Sequence, residues 1–409
     1  MTEAKYVLET CLSEPEKKRA RIVGYLLTFM ATFSLGTTEI FAPWYAGILG
    51  ASSYEMGWAM GSFGIVYMVS PVLGGKVSDR IGRKNSLIIA TVSYIAILLL
   101  YPQPFILPIH LIIIRALEGL FFGVFYPTVE ALVAELCPDS QGAVLGNFST
   151  SWSAGMVLSP MLIAYSATYL GNITSIYVVL GVELAALGLI AALVKNYTRE
   201  QLGRQTGQKA NVPYPVAELD TLTKGRDVRT SPRFFASYVS IALFGFTSTV
   251  LLALFPTYIE SIPGYTSQDF GNLLMIWNVS RTLAFIFCTR IPHEKMGSVM
   301  IAGASVIGFG MFGISFTTEF LAFSISLVLV GVGVGFGYLG GLYTVVSATE
   351  EEKGAYAGLA ESLAGVGFFA GPILGGWIAG YSLALPYLAT AIYAVISLIV
   401  IVILLRTKR

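Results

Sequence analysis

Residues 74–84 read Gly74-Gly75-Lys76-Val77-Ser78-Asp79-Arg80-Ile81-Gly82-Arg83-Lys84. This short basic turn joins two long, predominantly apolar runs, 54–77 and 84–101. A bilayer core needs about 20 apolar residues per helix, and Lys and Arg gather on the cytoplasmic side. The stretch therefore predicts two antiparallel membrane helices joined inside the cell.

The rest of the chain repeats the pattern. Of its 409 residues 55% are hydrophobic and 12% charged, with mean hydropathy +0.72. Soluble domains carry about 25% charged residues, so much of this surface faces something other than water. Further helices are predicted over 22–46, 108–134, 142–168 and 172–195, then over 233–259, 267–288, 298–317, 319–346, 354–380 and 384–405. The fold class expected is an all-α membrane protein with twelve transmembrane helices in two pseudo-symmetric six-helix bundles. Residues 1–195 form the first bundle, 196–232 a polar cytoplasmic linker with three prolines, and 233–409 the second.

Charge placement sets the orientation. Of the 25 Lys and Arg, all but Arg115 and Arg281 fall in the two tails, the linker and the even-to-odd loops. Both termini are therefore expected in the cytoplasm of a multi-pass cell-membrane protein. Residues 1–21 are polar and lack an apolar stretch with a small-residue cleavage site, so the first helix is expected to act as the membrane signal.

The halves look related. Asp79-Arg80-Ile81-Gly82 matches Glu294-Lys295-Met296-Gly297. Gly155, Ser159 and Pro160 match Gly367, Gly371 and Pro372, and Pro43 with Tyr45 matches Pro256 with Tyr258. The offset is nearly constant, as duplicated transporter halves require.

The turn at 74–84 resembles the loop 2-3 signature of the major facilitator superfamily, G-x-x-x-D-R-x-G-R-[KR]. The resemblance implies a cytoplasmic gate made of Gly75, Asp79, Arg80, Gly82 and Arg83. Asp79 would meet the start of helix 11 near Lys353 to Tyr356, and the arginines would pair with Glu135. Such a lock would hold the outward-open state. Arg115-Ala116-Leu117-Glu118-Gly119 resembles the R-x-x-[QE]-G element of the proton-coupled drug-antiporter branch. Gly367-Phe368-Phe369-Ala370-Gly371-Pro372-Ile373-Leu374-Gly375-Gly376 fits that branch's G-x-x-x-G-P-x-x-G-G, but in helix 11 rather than helix 5. Gly367, Gly371 and Pro372 are therefore read as close packing and a bend.

Ionisable groups at mid-membrane cost on the order of 3 kcal/mol on insertion scales, so they should face a partner or a wet cavity. Arg115 and Glu118 share a face at i, i+3, which Phe122 and Tyr126 continue. Glu39 lies at a depth similar to Arg115 and is the leading candidate for a proton carrier, with Arg115 and Glu118 as its associates. Trp277, Asn278 and Arg281 share a face of helix 8 and, with Tyr126 and Trp152, are substrate-cavity candidates. Arg281 could hold a substrate anion or balance a protein carboxylate. Glu130 and Glu361 lie near inner helix ends. Glu183, mid-helix 6, has no evident role.

The function these readings favour is secondary active transport by alternating access, most simply proton-coupled export of small, partly apolar organic solutes. The alternative is a symporter or exchanger of a small organic anion, resting on Arg115 and Arg281 facing each other. A non-transporting receptor or lipid-handling protein is the third class, and no residue pattern speaks for it. Enzyme readings lack a phosphate loop, a metal cluster or a nucleophile with its base. Three cysteines (Cys11, Cys137, Cys288) and two histidines (His110, His293) lie far apart, so no metal or cofactor is expected. The partners expected are a small-molecule substrate, protons and the lipid bilayer. A net charge of +1 gives no reason to expect nucleic acid, and the chain is expected to work as a monomer.

Overall fold

A computed structural model describes residues 14–135, 141–194, 231–288, 290–346 and 353–407. The proposed linker and the probe position Lys209 lie outside these residues, as do Cys11 and Cys137. So do the side chains of Glu135, Glu361 and the first residues of helix 11.

Among the described residues the chain is helical throughout, with no strand. The first seven helices are α1 (Glu14–Ile48), α2 (Ser53–Tyr67), α3 (Ser70–Ile81), α4 (Arg83–Leu98), α5 (Pro108–Glu135), α6 (Gln141–Tyr165) and α7 (Thr174–Leu193). The remainder are α8 (Pro232–Glu260), α9 (Ser267–Cys288), α10 (Met296–Phe316), α11 (Phe320–Val346), α12 (Lys353–Ala379) and α13 (Leu385–Arg406). A π turn, Ser166–Leu170, extends α6.

Lipid offers no hydrogen-bond partners, so each spanning backbone must satisfy itself, and a helix does so within one segment. Threonine hydroxyls follow the same logic: Thr28, Thr32 and Thr37 donate to the carbonyls four residues back. Outward faces stay apolar, with Phe309 and Leu321 more than 70% exposed. Nine of the described helices are long and apolar enough to cross a membrane. The protein is a multi-pass membrane protein.

The nine differ from the twelve expected because α3, α4 and the described apolar part of α12 (Leu363–Ala379) are short, and because helix 2 is broken. The single run expected over 54–77 is two helices separated at Met68 and Val69. Pro71 is the cause. It sits in the first turn of α3 and has no N–H to donate to the preceding turn, so the hydrogen-bond ladder is interrupted there. The restart is pinned by Ser70, whose Oγ donates to the Gly119 carbonyl of α5 at 2.7 Å.

Helices α1 to α7 pack on one another, with α5 central to α2, α3 and α4. Helices α8 to α13 do likewise, around α8 and α11. Four helix pairs join the sets: α2 with α12, α6 with α9, α1 with α8, and α2 with α8. The α2–α12 seam is nearly backbone on backbone. A Cβ at Gly57 would collide with the Pro372 carbonyl, and one at Gly64 would lie 2.8 Å from the Phe369 nitrogen. Gly367 and Gly371 allow the same closeness to Phe246 of α8. These glycines let α12 lie close against α2 and α8.

Candidate functional site

The charged centre is built where α1, α2, α4 and α5 meet. Arg115 and Glu118, both fully buried, form an ion pair one helical turn apart on α5. Each has further partners from other helices. Tyr101 donates to Glu118 Oε1 at 2.9 Å. Arg115 Nη1 donates to Thr38 Oγ1 at 3.1 Å, and its guanidinium carbon lies 4.6 Å from the centre of the Phe63 ring. Thr38 Oγ1 is 3.4 Å from the Tyr94 hydroxyl. Glu39 Oε1 stands 3.9 Å from Arg115 Nη2. Glu39 is 9% exposed, so it is buried rather than bathed at a helix end. Its polar neighbourhood is not closed, because Arg115 Nη2 and Nε make no hydrogen bond among the described residues.

The second cluster lies on α9 and α6. Arg281 donates to Asn278 Oδ1 at 2.7 Å, one turn away. Its guanidinium lies between two indoles, 4.8 Å from Trp277 and 5.2 Å from Trp152. Trp152 belongs to α6 and Trp277 to α9, so this stack bridges the two sets of helices. Arg281 Nε and Trp277 Nε1 are buried and without a hydrogen bond among the described residues. The charge of Glu39 also bears on Arg281, less strongly than on Arg115. Glu39 lies in the fields of both arginines.

Tyr126 is buried and stacks on Phe122, which packs edge-on against Tyr94.

The turn at the end of α3 is a separate site. Gly82 has φ +92°, a backbone geometry that favours glycine, and this reverses the chain from α3 into α4. Asp79 pairs with Arg83 at 2.9 Å, and Arg83 Nη1 also donates to Ser78 Oγ at 2.7 Å. Gly75 is buried and Arg80 is exposed. Lys84 donates to the Ala191 carbonyl of α7.

Sequence spacing missed the partners that come from other helices: Thr38, Tyr94, Tyr101 and Phe63. It also missed a contact at the opposite end of the bundle from α3's turn. There Trp44 Nε1 of α1 donates to Glu260 Oε2 of α8 at 2.7 Å, Ser267 donates to the other oxygen, and Trp44 packs on Phe270.

The family model described as Major Facilitator Superfamily matches residues 24–360. The chain belongs to the Major Facilitator Superfamily. It is 24% identical over 384 residues to an MFS-type transporter of Methanocaldococcus jannaschii, covering 91% of this chain and 95% of that one. It is 22% identical over 406 residues to the quinolone resistance protein NorA of Staphylococcus aureus, covering 95% and 96%. Among solved structures, the nucleoside transporter NupG superposes with a TM-score of 0.76 at 15% identity, covering 96% of this chain and all of that one. The superfamily chain described here thus has transporters, not enzymes, as relatives, and multidrug efflux proteins are among its homologues. Transporters of this superfamily handle small-molecule substrates.

Proposed function

We propose that this chain is a proton-coupled exporter of small organic solutes that works by alternating access between two pseudo-symmetric six-helix halves. Twelve spans result when α2 and α3 count as one crossing. The observation that carries the reading is Glu39, a buried carboxylate 3.9 Å from Arg115 whose charge also bears on Arg281. A proton on Glu39 weakens its pull on both arginines. Loss of that proton restores it. Loading and releasing the proton thereby changes what holds the halves together at mid-membrane, which alternating access demands. Relatedness to a quinolone-resistance protein agrees with export. The protein acts as a monomer in the cell membrane, with both termini and the 196–232 segment cytoplasmic.

A second reading is favoured by one specific feature. Arg281 and Trp277 offer buried N–H groups with no partner, which an anionic substrate would satisfy. The test for both is a substrate panel in proteoliposomes with an imposed pH gradient. Gradient-driven movement of neutral or cationic solutes supports export, whereas transport confined to anions, lost in Arg281→Gln, favours the second reading. No response to the gradient for any solute would overturn proton coupling.

A further inference from the structure

Glu183 has no part in the site described above, yet it is an ionisable group in the middle of a transmembrane helix and only 2% exposed. It lies on α7, on the face turned towards α1 and α4. There it lines a small space together with Ala31, Ala90, Thr91, Tyr94, Phe121, Phe122 and Phe125. The space is ≈ 10 Å³, about the room one water occupies. Two polar atoms of residues that line it make no hydrogen bond among the described residues, Glu183 Oε1 and Thr91 Oγ1; Ser34 stands beside Glu183, outside the lining. A buried polar atom left unpaired costs about 1–3 kcal/mol. Two of them on one water-sized space are what a single bound water would satisfy.

Every charged or titratable group facing Glu183 bears on its state. From α1 the neighbour is Ser34, which carries no charge. Tyr94 comes from α4, and Tyr126 from α5. Behind Tyr94 stand Glu118 and Arg115. At the far end of α7, Lys84 is engaged by the Ala191 carbonyl, and Lys18 and Arg19 border Leu189 and Leu193. No Lys or Arg among the described residues pairs with Glu183. A lone carboxylate held ionised in such a place costs several kcal/mol, so this one can bind a proton in place of a counter-ion.

The space is also wired to the centre. Tyr94 lines it and meets Thr38 at 3.4 Å, and Thr38 accepts from Arg115 at 3.1 Å. We propose that Glu183 is a second proton-binding carboxyl, exchanging its proton with a water in this space, and that Tyr94 and Thr38 tie its charge to the Arg115–Glu118 pair. The site stands on its own geometry. Its part in transport rests on the proton-coupled reading above.

The test is infrared difference spectroscopy of the purified full chain in lipid nanodiscs, titrated with protons from about pH 5 to about pH 9, a range that brackets carboxyl titration in buried settings. The expected result is a protonated-carboxyl band that titrates and is absent in Glu183→Gln. In Tyr94→Phe and in Glu118→Gln its midpoint should move by about fivefold or more in proton concentration, the low end of coupling between linked sites. Spectra of Glu183→Gln that superimpose on the parent, or a Glu183 band that never titrates, overturn the proposal. A midpoint unmoved in both other variants overturns the wiring. Should Glu183→Gln fail to fold, Ser34→Ala must move the band, and an unmoved band overturns the assignment. Gradient-driven transport by Glu39→Gln, measured separately, separates the two ideas. If it persists while the Glu183 band titrates, only the coupling role of Glu39 falls. If it is lost while Glu183 is silent, only the present proposal falls.

Discussion

Replacing Trp44 by Phe removes one hydrogen bond that spans the two halves and keeps most of the ring. Trp44 is 2% exposed and donates to Glu260 at 2.7 Å, so the bond is charge-assisted and well formed. Such bonds contribute about 1.5–3 kcal/mol net. Glu260 is only half-buried and keeps its contact with Ser267, so the lower figure applies, about 1.5 kcal/mol. The bond exists only while this end of the bundle is closed. Its loss should therefore raise the open-to-closed ratio at this end about tenfold. The assay is the rate at which a membrane-impermeant thiol reagent, added outside, modifies a cysteine placed at Thr257. The background lacks Cys11, Cys137 and Cys288. Thr257 suits the purpose because it lies on α8 opposite Gly47 of α1, within this seam. An unchanged modification rate in Trp44→Phe would refute the reasoning, as would faster labelling from the cytoplasmic side instead.

Three further outcomes follow from the geometry. Glu39→Gln should abolish pH-gradient-driven transport in proteoliposomes while substrate exchange continues, since the amide keeps the shape but cannot carry the proton. Gly64→Leu should force apart the α2–α12 seam, where even a Cβ has no room beside Phe369, costing about 1–3 kcal/mol and lowering the thermal midpoint of the purified protein. Asp79→Asn weakens the ion pair with Arg83 and should shift the ensemble towards inward-open forms, read as slower outside labelling of the Thr257 cysteine; unchanged labelling would remove the gate from the account.

How much of this could be read from the chain depends on whether the partners share a helix. Arg115 with Glu118, and Arg281 with Asn278, lie one turn apart, and spacing alone puts each pair on one face. The structure joins both pairs directly. Contacts between helices carry no such signature. Nothing in the string brings Tyr101 to Glu118, Thr38 to Arg115, or Trp44 to Glu260, whose chain separations are set by packing. The break in helix 2 shows the limit from the other side. Pro43, Pro127, Pro160, Pro256 and Pro372 all sit inside continuous helices, whereas Pro71 starts a new one. A distinguishing feature is Ser70, whose hydroxyl is anchored to α5, and that partner is a backbone carbonyl that no motif announces.

The two buried arginines are held differently, and the difference bears on mechanism. Arg115 has a full-time counter-ion in Glu118, two more oxygen neighbours in Thr38 and Glu39, and a ring face in Phe63. Its charge is neutralised within the first set of helices in any arrangement of the halves. Arg281 has one neutral amide and two indole faces. An amide and two π faces cannot balance a buried guanidinium, and breaking a buried pair is costed at about 3–5 kcal/mol. Its remaining carboxylate is Glu39, which comes from the other set. On the proton-coupled reading proposed above, a proton on Glu39 weakens its pull on both arginines, but Arg115 keeps Glu118 whereas Arg281 keeps no carboxylate among the described residues. On that reading the second half carries a poorly balanced positive charge in one part of the cycle, which an anion entering the cavity or deprotonation of Glu39 would balance.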